Sequence, residues 1–298
     1  MPLSNVNFAS LPSPNIVEPL DFNTILNSMV ADLLLRDPTL SDVNIESSPM
    51  RKLLEVCAYR ELIVRQRVND GAHGVMLAYA TASDLDQIGA NYGVVRLQLA
   101  PADNTTLPPT PAVMEADDVY RERIRLSLYS RTTAGSVNQY KYFATSANTD
   151  VLDVSITSPT AGDVVITVLS RTGAGVPTQA VLDAVMLACN ADNVRPLTDH
   201  VIVQAAAIVN YTVAASLTVY PNGDPITIQA AALKSLTVYC DKHHALGHDI
   251  TQAGLIAALT VVGVQNVALT SPAADIVVDN IHASYAISKT VSISGTAI

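Results

Sequence analysis

Residues 151–169, VLDVSITSPTAGDVVITVL, mark the point at which the pattern of apolar residues changes. Leu152, Val154 and Ile156 alternate with polar residues, which predicts a strand with one polar face. The turn-forming run SPTAGD follows, and VVITVL after it predicts a second strand that pairs back antiparallel. Because helical spacing dominates the chain before this stretch, the sequence predicts an α+β fold and not a doubly wound sheet.

Two small α+β units with antiparallel sheets are expected from here to the end of the chain. Alternation from Tyr211 to Val219 predicts a long strand, and Asp224-Pro225 predicts a helix start, with Gly247 ending that helix. The other expected elements are helices at Thr178–Cys189 and Gln252–Leu259, and strands at HVIVQA (200–205), Val264–Leu269 and Tyr285–Ile293.

The segment before residue 151 is predicted to be helical. Ser48-Pro49 begins the longest helix, since serine favours the cap and proline the first helical position. Only Gly71 and Gly74 interrupt the pattern before Ala80. The apolar residues form a stripe wider than one flank of a bundle needs, made of Leu53, Leu54, Val56, Cys57, Leu62, Ile63, Val64 and Val68.

Shorter signals complete this segment and divide the chain. Ser83 and Asp86 have the spacing of a capping box, Gly93 suits a helix end, and a further helix is expected from Asp117 to about Leu128. The proline-rich run PADNTTLPPTPA (101–112) reads as a linker. We therefore predict three domains, namely an N-terminal arm and helical bundle (1–112), a middle α+β domain (113–208) and a C-terminal α+β domain (209–298).

Residues 1–20 contain four prolines and read as an extended arm. Such an arm is either a solvated tail or a segment that lies along a neighbouring subunit.

Composition excludes several classes of protein. The 298 residues are 49% hydrophobic and 15% charged, with a net charge of −10, which argues against global disorder and against a broad nucleic-acid-binding face. The three cysteines show no paired spacing, which favours a reducing compartment. Neither a signal peptide nor a transmembrane helix is recognisable, so no membrane partner is expected.

The chain shows no convincing catalytic or cofactor motif. Walker, GxSxG and HExxH patterns are absent from the sequence, and RTGAGVPT (171–178) reads as a turn. Cys240, His244 and His248 have metal-ligand spacing, but Gly247 should end their helix before the third ligand. The side chains of Asp84 and Asp86 point away from each other on a helix, because they are two residues apart. As acids in the first helical turn they interact favourably with the helix dipole. No catalytic residue, cofactor or metal is therefore predicted.

Basic residues concentrate in the long helix of this acidic chain. Residues 51–67 contain five cations and two acids. One explanation is a solvated face with ordinary pairs such as Glu61 to Arg65. The other is a partner-binding face, for which the candidate residues are Arg60, Val64, Arg65, Arg67 and Val68.

The run RKLLEVCAYRELIVRQRVNDGAHGVMLAYATASDLDQIGANYGVVRL (51–97) closely resembles the N-terminal half of the baseplate assembly protein J family. Members of this family are baseplate wedge proteins of contractile phage tails and R-type tailocins. The resemblance covers nearly the whole chain, although KHHALGHDI has histidines where members tend to carry arginine. The further matching segments, in order, are PADNTTLPPTPAVMEADDVYRERI, TAGSVNQY, VLDVSITSP, NVRPLTDHVIVQAAAIVNY, LGHDI, GVQNVAL and DIVV.

This resemblance implies a structural, non-enzymatic wedge subunit, assembled in the host cytoplasm as part of a virion or tailocin baseplate. Implied partners are a second copy of the chain in each wedge, a tail protein I-like subunit and a sheath-initiator protein. The hub or spike is a further candidate. The resemblance also implies that helices of three chains form an N-terminal bundle, while C-terminal parts join neighbouring wedges in a six-fold ring. A cytosolic α+β enzyme with an unrecognised acidic site is the alternative.

Overall fold

The computed structural model describes residues 11–12, 14, 18–132, 134–221 and 223–298, so most of the predicted arm lies outside the described residues. The chain falls into two compact units. One contains the described residues up to Arg96 together with Ala116–Arg121, and the other contains Leu97–Glu115 and Glu122–Ile298. No helix within the described ranges combines the length and the apolar character needed to cross a bilayer. The predicted α+β class is confirmed.

The first unit contains the helices α1 (Phe22–Arg36), α2 (Pro49–Gly74) and α3 (Ala82–Asn91). Helix α2 begins at Pro49 as predicted and ends at Gly74, one of the two glycines that interrupt the helical pattern before Ala80. The Arg121 guanidinium donates to the carbonyls of Leu77 and Ala80, both at 2.7 Å, and thereby satisfies backbone groups that a continued helix would have used. Helices α1 and α2 pack around a core of Ile25, Leu26, Val30, Val43 and Ala58.

The predicted capping box at Ser83 and Asp86 is also wrong. Helix α3 has Thr81 at its N-cap, without a side-chain cap bond. The Ala82 N–H donates instead to Asp117 Oδ2 at 3.0 Å, and Asp86 pairs with Arg96 at 2.7 Å. A carboxylate from a later part of the chain thus does what the local box was expected to do. Gly93 has a φ of 74° and follows the helix end, as expected.

The second unit begins with a small hairpin in place of the predicted linker. Strands β1 (Gln98–Ala100) and β2 (Val113–Met114) pair antiparallel, and Asp103 and Thr110 form a further antiparallel bridge within the loop that joins them. Glu115 closes the base, because its N–H donates to the Leu97 carbonyl at 2.8 Å. Helix α4 (Asp117–Leu126) follows, with its first residues in the first unit and its last in the second.

A three-stranded sheet with order β3-β4-β5 forms the middle of the chain. The β3–β4 hairpin is antiparallel as predicted, with Ile156 opposite Ile166, whereas β4 and β5 are parallel and joined through a helix. Tyr140, Val168, Val185 and Cys189 lie in the core under this sheet. The elements are α5 (Val137–Ala147), β3 (Val151–Thr157), β4 (Asp163–Ser170), α6 (Gln179–Cys189) and β5 (His200–Ala205).

The C-terminal sheet has the order β7-β6-β8. Its central strand pairs antiparallel with β7 and parallel with β8, so each three-stranded sheet contains one antiparallel and one parallel pair. Leu217, Leu236 and Leu259 belong to its core. The elements are β6 (Ala207–Val219), α7 (Pro225–Lys242), α8 (Gln252–Leu259), β7 (Val264–Ser271) and β8 (His282–Thr296).

Helix α7 ends at Lys242, earlier than the predicted stop at Gly247. The Gly247 N–H donates to the His282 carbonyl, and Leu246 bridges Ala283, so this segment lies along the start of β8. Leu246 also joins the two sheets, because its N–H donates to Asp153 Oδ2 at 3.2 Å. A small buried cluster of Leu169, Ala206, Leu246 and Ala283 lies at this junction.

Candidate partner-binding surface

The described residues cover helix α2 on one side only. Ala58 is fully buried, and Leu54 and Leu62 pack against the core that α2 shares with α1. Near the end of the helix, the buried Asn69 donates through Nδ2 to the Glu18 carbonyl at 2.8 Å, and the Glu18 N–H donates to Asn69 Oδ1 at 3.0 Å. This pair of hydrogen bonds holds the chain before α1 on the same covered side.

The opposite side carries a continuous row of exposed side chains. Their spacings of three, four and seven residues place them on one face of a helix, over a length of about 22 Å. Leu53 is 64% exposed and Val64 61% exposed, so these are not members of an internal core. Scattered apolar residues are normal on a protein surface, but a contiguous patch marks an interaction site. We call this row the exposed α2 face; it comprises Leu53, Val56, Cys57, Arg60, Ile63, Val64, Arg67 and Val68.

Two arginines lie within this face. Arg60 and Arg67 are seven residues apart, and both are exposed. Neither makes an ion pair with any residue that the structure describes. The face therefore presents two cations set among apolar side chains, with no acid among its members.

The other basic residues of α2 are already paired within the chain. Arg65 contacts Glu61 at 2.5 Å and Glu18 at 2.8 Å, and Lys52 contacts Glu55 at 3.0 Å. Arg65 lies on the flank near Glu18 and not in the exposed row. The structure thus brings together four of the predicted site residues, Arg60, Val64, Arg67 and Val68, and sets Arg65 apart from them.

Sequence reasoning did not name Leu53, Val56 and Ile63 as part of the site, although the structure places them on the same face. The sequence did contain a signal for these three residues, since the apolar stripe of α2 is wider than a single buried face of the helix requires. The pattern alone does not say which edge of a wide stripe is buried. That choice depends on where α1 and Glu18 lie.

The remaining candidate residues do not converge on a chemical site. Helix α7 ends before His244, whose Nδ1 donates to the Ser284 carbonyl at 2.7 Å. Asp86 forms an ion pair with Arg96, and Asp84 does not share that partner, so the two carboxylates do not act on a common group. Across the described ranges, no three His, Cys, Asp or Glu side chains are grouped so as to hold a metal ion.

Comparison with known proteins relates the whole chain to one family. Three family models match in order: the Baseplate J-like N-terminal domain over residues 46–103, the Baseplate J-like central domain over residues 132–205 and the Baseplate J-like protein C-terminal domain over residues 211–293. Baseplate protein J of Escherichia phage P2 is 47% identical over 291 residues, covering 96% of each chain.

A solved structure also shows limited similarity. It is a chain of the anti-feeding prophage baseplate, determined by cryo-EM with six-fold symmetrisation, at a TM-score of 0.43 and 14% identity. The match covers 61% of this chain and 43% of that chain, so this chain spans less than half of its length.

Proposed function

The chain belongs to the Baseplate J-like family, and we propose from this premise that it is a structural subunit of the baseplate wedge of a contractile tail. In this role it associates with itself and with other wedge proteins to form a six-fold ring around the hub and to support sheath contraction. Identity of 47% along 96% of the chain to a phage baseplate protein supports the assignment. The single observation that supports a role in assembly is the exposed α2 face.

An apolar face of this size favours burial against other chains. Burying a Val, Leu or Ile side chain contributes about 1.5–3 kcal/mol, so completing the burial of a partly exposed one contributes about 1 kcal/mol. Five such side chains lie on the face: Leu53, Val56, Ile63, Val64 and Val68. Their combined contribution is large enough to hold helices of separate chains together.

The two arginines specify what kind of chain meets the face. Parallel copies of α2 in register would place Arg60 beside Arg60 and Arg67 beside Arg67, and like charges at an interface are costly. A partner helix with carboxylates at matching positions would form charge-assisted bonds with both guanidinium groups. We propose that this acidic partner helix belongs to the tail protein I-like subunit, which would contact two copies of this chain in each wedge.

The C-terminal domain, from about residue 209 to 298, is proposed to join identical chains of neighbouring wedges. Large apolar side chains are exposed there on α7, on β8 and in the loops, including Ile226, Val238, Val262, Val277 and Ile287. The division into domains at residues 1–112, 113–208 and 209–298 remains part of this proposal. A sheath-initiator protein, and the hub or spike, are proposed as further partners.

We also propose that the chain has no enzymatic activity and requires no cofactor. The descriptions of its relatives name a baseplate component and not a reaction. Assembly is proposed to take place in the host cytoplasm, and the mature protein to lie in a virion or tailocin baseplate.

Charge reversal on the face tests this function. We expect Arg60→Glu/Arg67→Glu to abolish capture of the co-expressed I-like subunit in a pull-down, while circular dichroism of the isolated chain stays unchanged, since exposed substitutions cost within about 0.5 kcal/mol. The control is Arg131→Glu/Lys234→Glu, which makes the same charge change at two exposed positions outside α2. Capture at the level of this control would refute the interface, and loss of the fold would show that the arginines serve the core of the isolated chain.

A further inference from the structure

A cavity of about 440 Å³ lies where the two three-stranded sheets of the second unit adjoin. One wall comes from the middle sheet and the loop after β4, through Leu152, Arg171 and Gly173. The other comes from α7 and β8, through Cys240, Asp241, His244, Tyr285, Ala286 and Lys289. Its volume is in the range of pockets that hold small molecules.

Arg171 supplies one cation to this cavity. Its Nε donates to the Thr149 carbonyl at 3.1 Å, which anchors the guanidinium at the cavity wall. No carboxylate of the described residues lies within ion-pair distance of it. Burial lowers the pKa of Arg171, because a guanidinium loses hydration there, and the more distant carboxylates of Glu115 and Asp150 offset this loss only in part. A bound anion would restore the missing charge partner.

Lys289 supplies the second cation. Its nearest carboxylate is Asp241, whose Oδ1 is 3.9 Å from Nζ, at the outer limit of an ion pair. The Asp241 side chain is 71% exposed, so its charge is largely solvated. The Lys289 ammonium is mostly covered and has room for another acceptor.

A histidine and a tyrosine complete the polar lining of the cavity. His244 uses Nδ1 to donate to the Ser284 carbonyl, which fixes its ring beside Tyr285 at a centroid distance of 5.4 Å. The Tyr285 hydroxyl makes no hydrogen bond to any described residue. Two cations and a free hydroxyl thus share the cavity with one solvated acid.

We propose that this cavity binds a small molecule through a carboxylate or phosphate group held by Arg171 and Lys289. A guanidinium offers two parallel donors to either oxyanion, and an ammonium adds a point charge. Leu152 and Ala286 provide apolar wall for the remainder of the ligand. Since the walls belong to different sheets, an occupant would tie the middle and C-terminal parts of the unit together. This site is independent of the exposed α2 face.

Titration calorimetry of the full chain with inorganic phosphate and, separately, with succinate tests the proposal at matched ionic strength. We expect saturable one-to-one binding of at least one probe, and the probe that binds identifies the oxyanion. Arg171→Gln and Lys289→Gln should each weaken binding about tenfold or more, as expected for loss of a hydrogen bond to a charged group. Asp241→Asn should tighten it, because it removes an acid that lines the cavity beside Lys289.

Lys234→Gln is the matched control, since Lys234 is an exposed lysine on α7 that does not line the cavity. It should bind like the unmodified chain. Saturable binding of neither probe, or equal weakening in Lys234→Gln and Lys289→Gln, would overturn the proposal. If Arg171→Gln unfolds, as judged by circular dichroism, the opposite effects expected of Lys289→Gln and Asp241→Asn still decide the matter.

Discussion

The buried ion pair between Glu115 and Arg123 is expected to make a large contribution to the stability of the second unit. Two parallel hydrogen bonds of 2.8 Å join the carboxylate to the guanidinium, whose side chains are 1% and 6% exposed. Glu115 Oε2 also accepts the Leu97 N–H at 3.2 Å, and Arg123 donates to Ser146 Oγ at 3.2 Å. The pair therefore connects the base of the β1–β2 hairpin to α4 and α5.

Replacing Glu115 by glutamine leaves a buried guanidinium without its counter-charge. Breaking a buried pair in this way costs about 3–5 kcal/mol. For a folding unit of this size, each kcal/mol lowers the unfolding midpoint by about 2–4 °C, so Glu115→Gln should lower it by about 6–20 °C. Because the cost arises from a stranded charge, Glu115→Leu/Arg123→Met should be more stable than Glu115→Gln, although it removes both partners.

Thermal unfolding followed by circular dichroism measures the effect. The control is Glu122→Gln, which breaks the pair of Glu122 with Arg125 on the same helix. The Glu122 side chain is 44% exposed and its pair is partly solvated, so the loss should stay within about 1 kcal/mol. Equal midpoints for Glu115→Gln and Glu122→Gln would refute the claim that burial gives the Glu115 pair its importance.

Two further predictions concern the first unit. The pKa of Asp117 is held below its ordinary value, chiefly by the Ala82 N–H and also by Arg96. The ionised Asp117 therefore contributes its full stabilisation above the ordinary carboxyl pKa, and this contribution is lost as the pH falls through the lowered pKa of the folded state. The temperature of the unfolding midpoint should drop below about pH 4, and it should drop less steeply in Asp117→Asn. Gly89→Ala should destabilise by about 1–3 kcal/mol, since its Cβ would collide with the Tyr120 hydroxyl that donates to the Val94 carbonyl. Gly71→Ala, where a Cβ meets no atom, should instead stabilise α2 by up to about 1 kcal/mol in chemical denaturation, and the opposite order of the two variants would contradict the packing described for α3.

Local patterns predicted the elements whose cause is local. The alternation at residues 211–219 indicated a strand because that strand has one buried face, and Ser48-Pro49 indicated a helix start because proline suits the first turn. Features that depend on distant residues were missed. The hairpin at 98–114 depends on Glu115 meeting Leu97, and the start of α3 depends on Asp117.

For the exposed α2 face, too, the sequence predicted the contacts within the helix but not those with distant residues. The i,i+4 spacing indicated the Glu61–Arg65 pair, but nothing local indicates that Glu18 meets Arg65 as well and fixes that flank to the core. Arg60 and Arg67 lie seven residues apart, hence on one flank of the helix, and this spacing beside the apolar stripe is why the sequence singled them out. Whether the neighbouring Leu53 and Ile63 were covered or exposed required the position of α1.

Thiol labelling tests burial of the exposed α2 face in the assembled baseplate most directly. Cys57 lies on that face and is exposed, whereas Cys189 and Cys240 are buried. Burial raises the pKa of the Cys189 thiol to about 12 and also raises that of Cys240, so only Cys57 should react quickly with a maleimide in the isolated chain. In purified baseplates we expect Cys57 to react at least about tenfold more slowly, as closely packed interfaces exclude reagent. An unchanged rate at Cys57, with Cys57→Ser confirming the labelled position, would contradict the assignment of this face to contacts between chains.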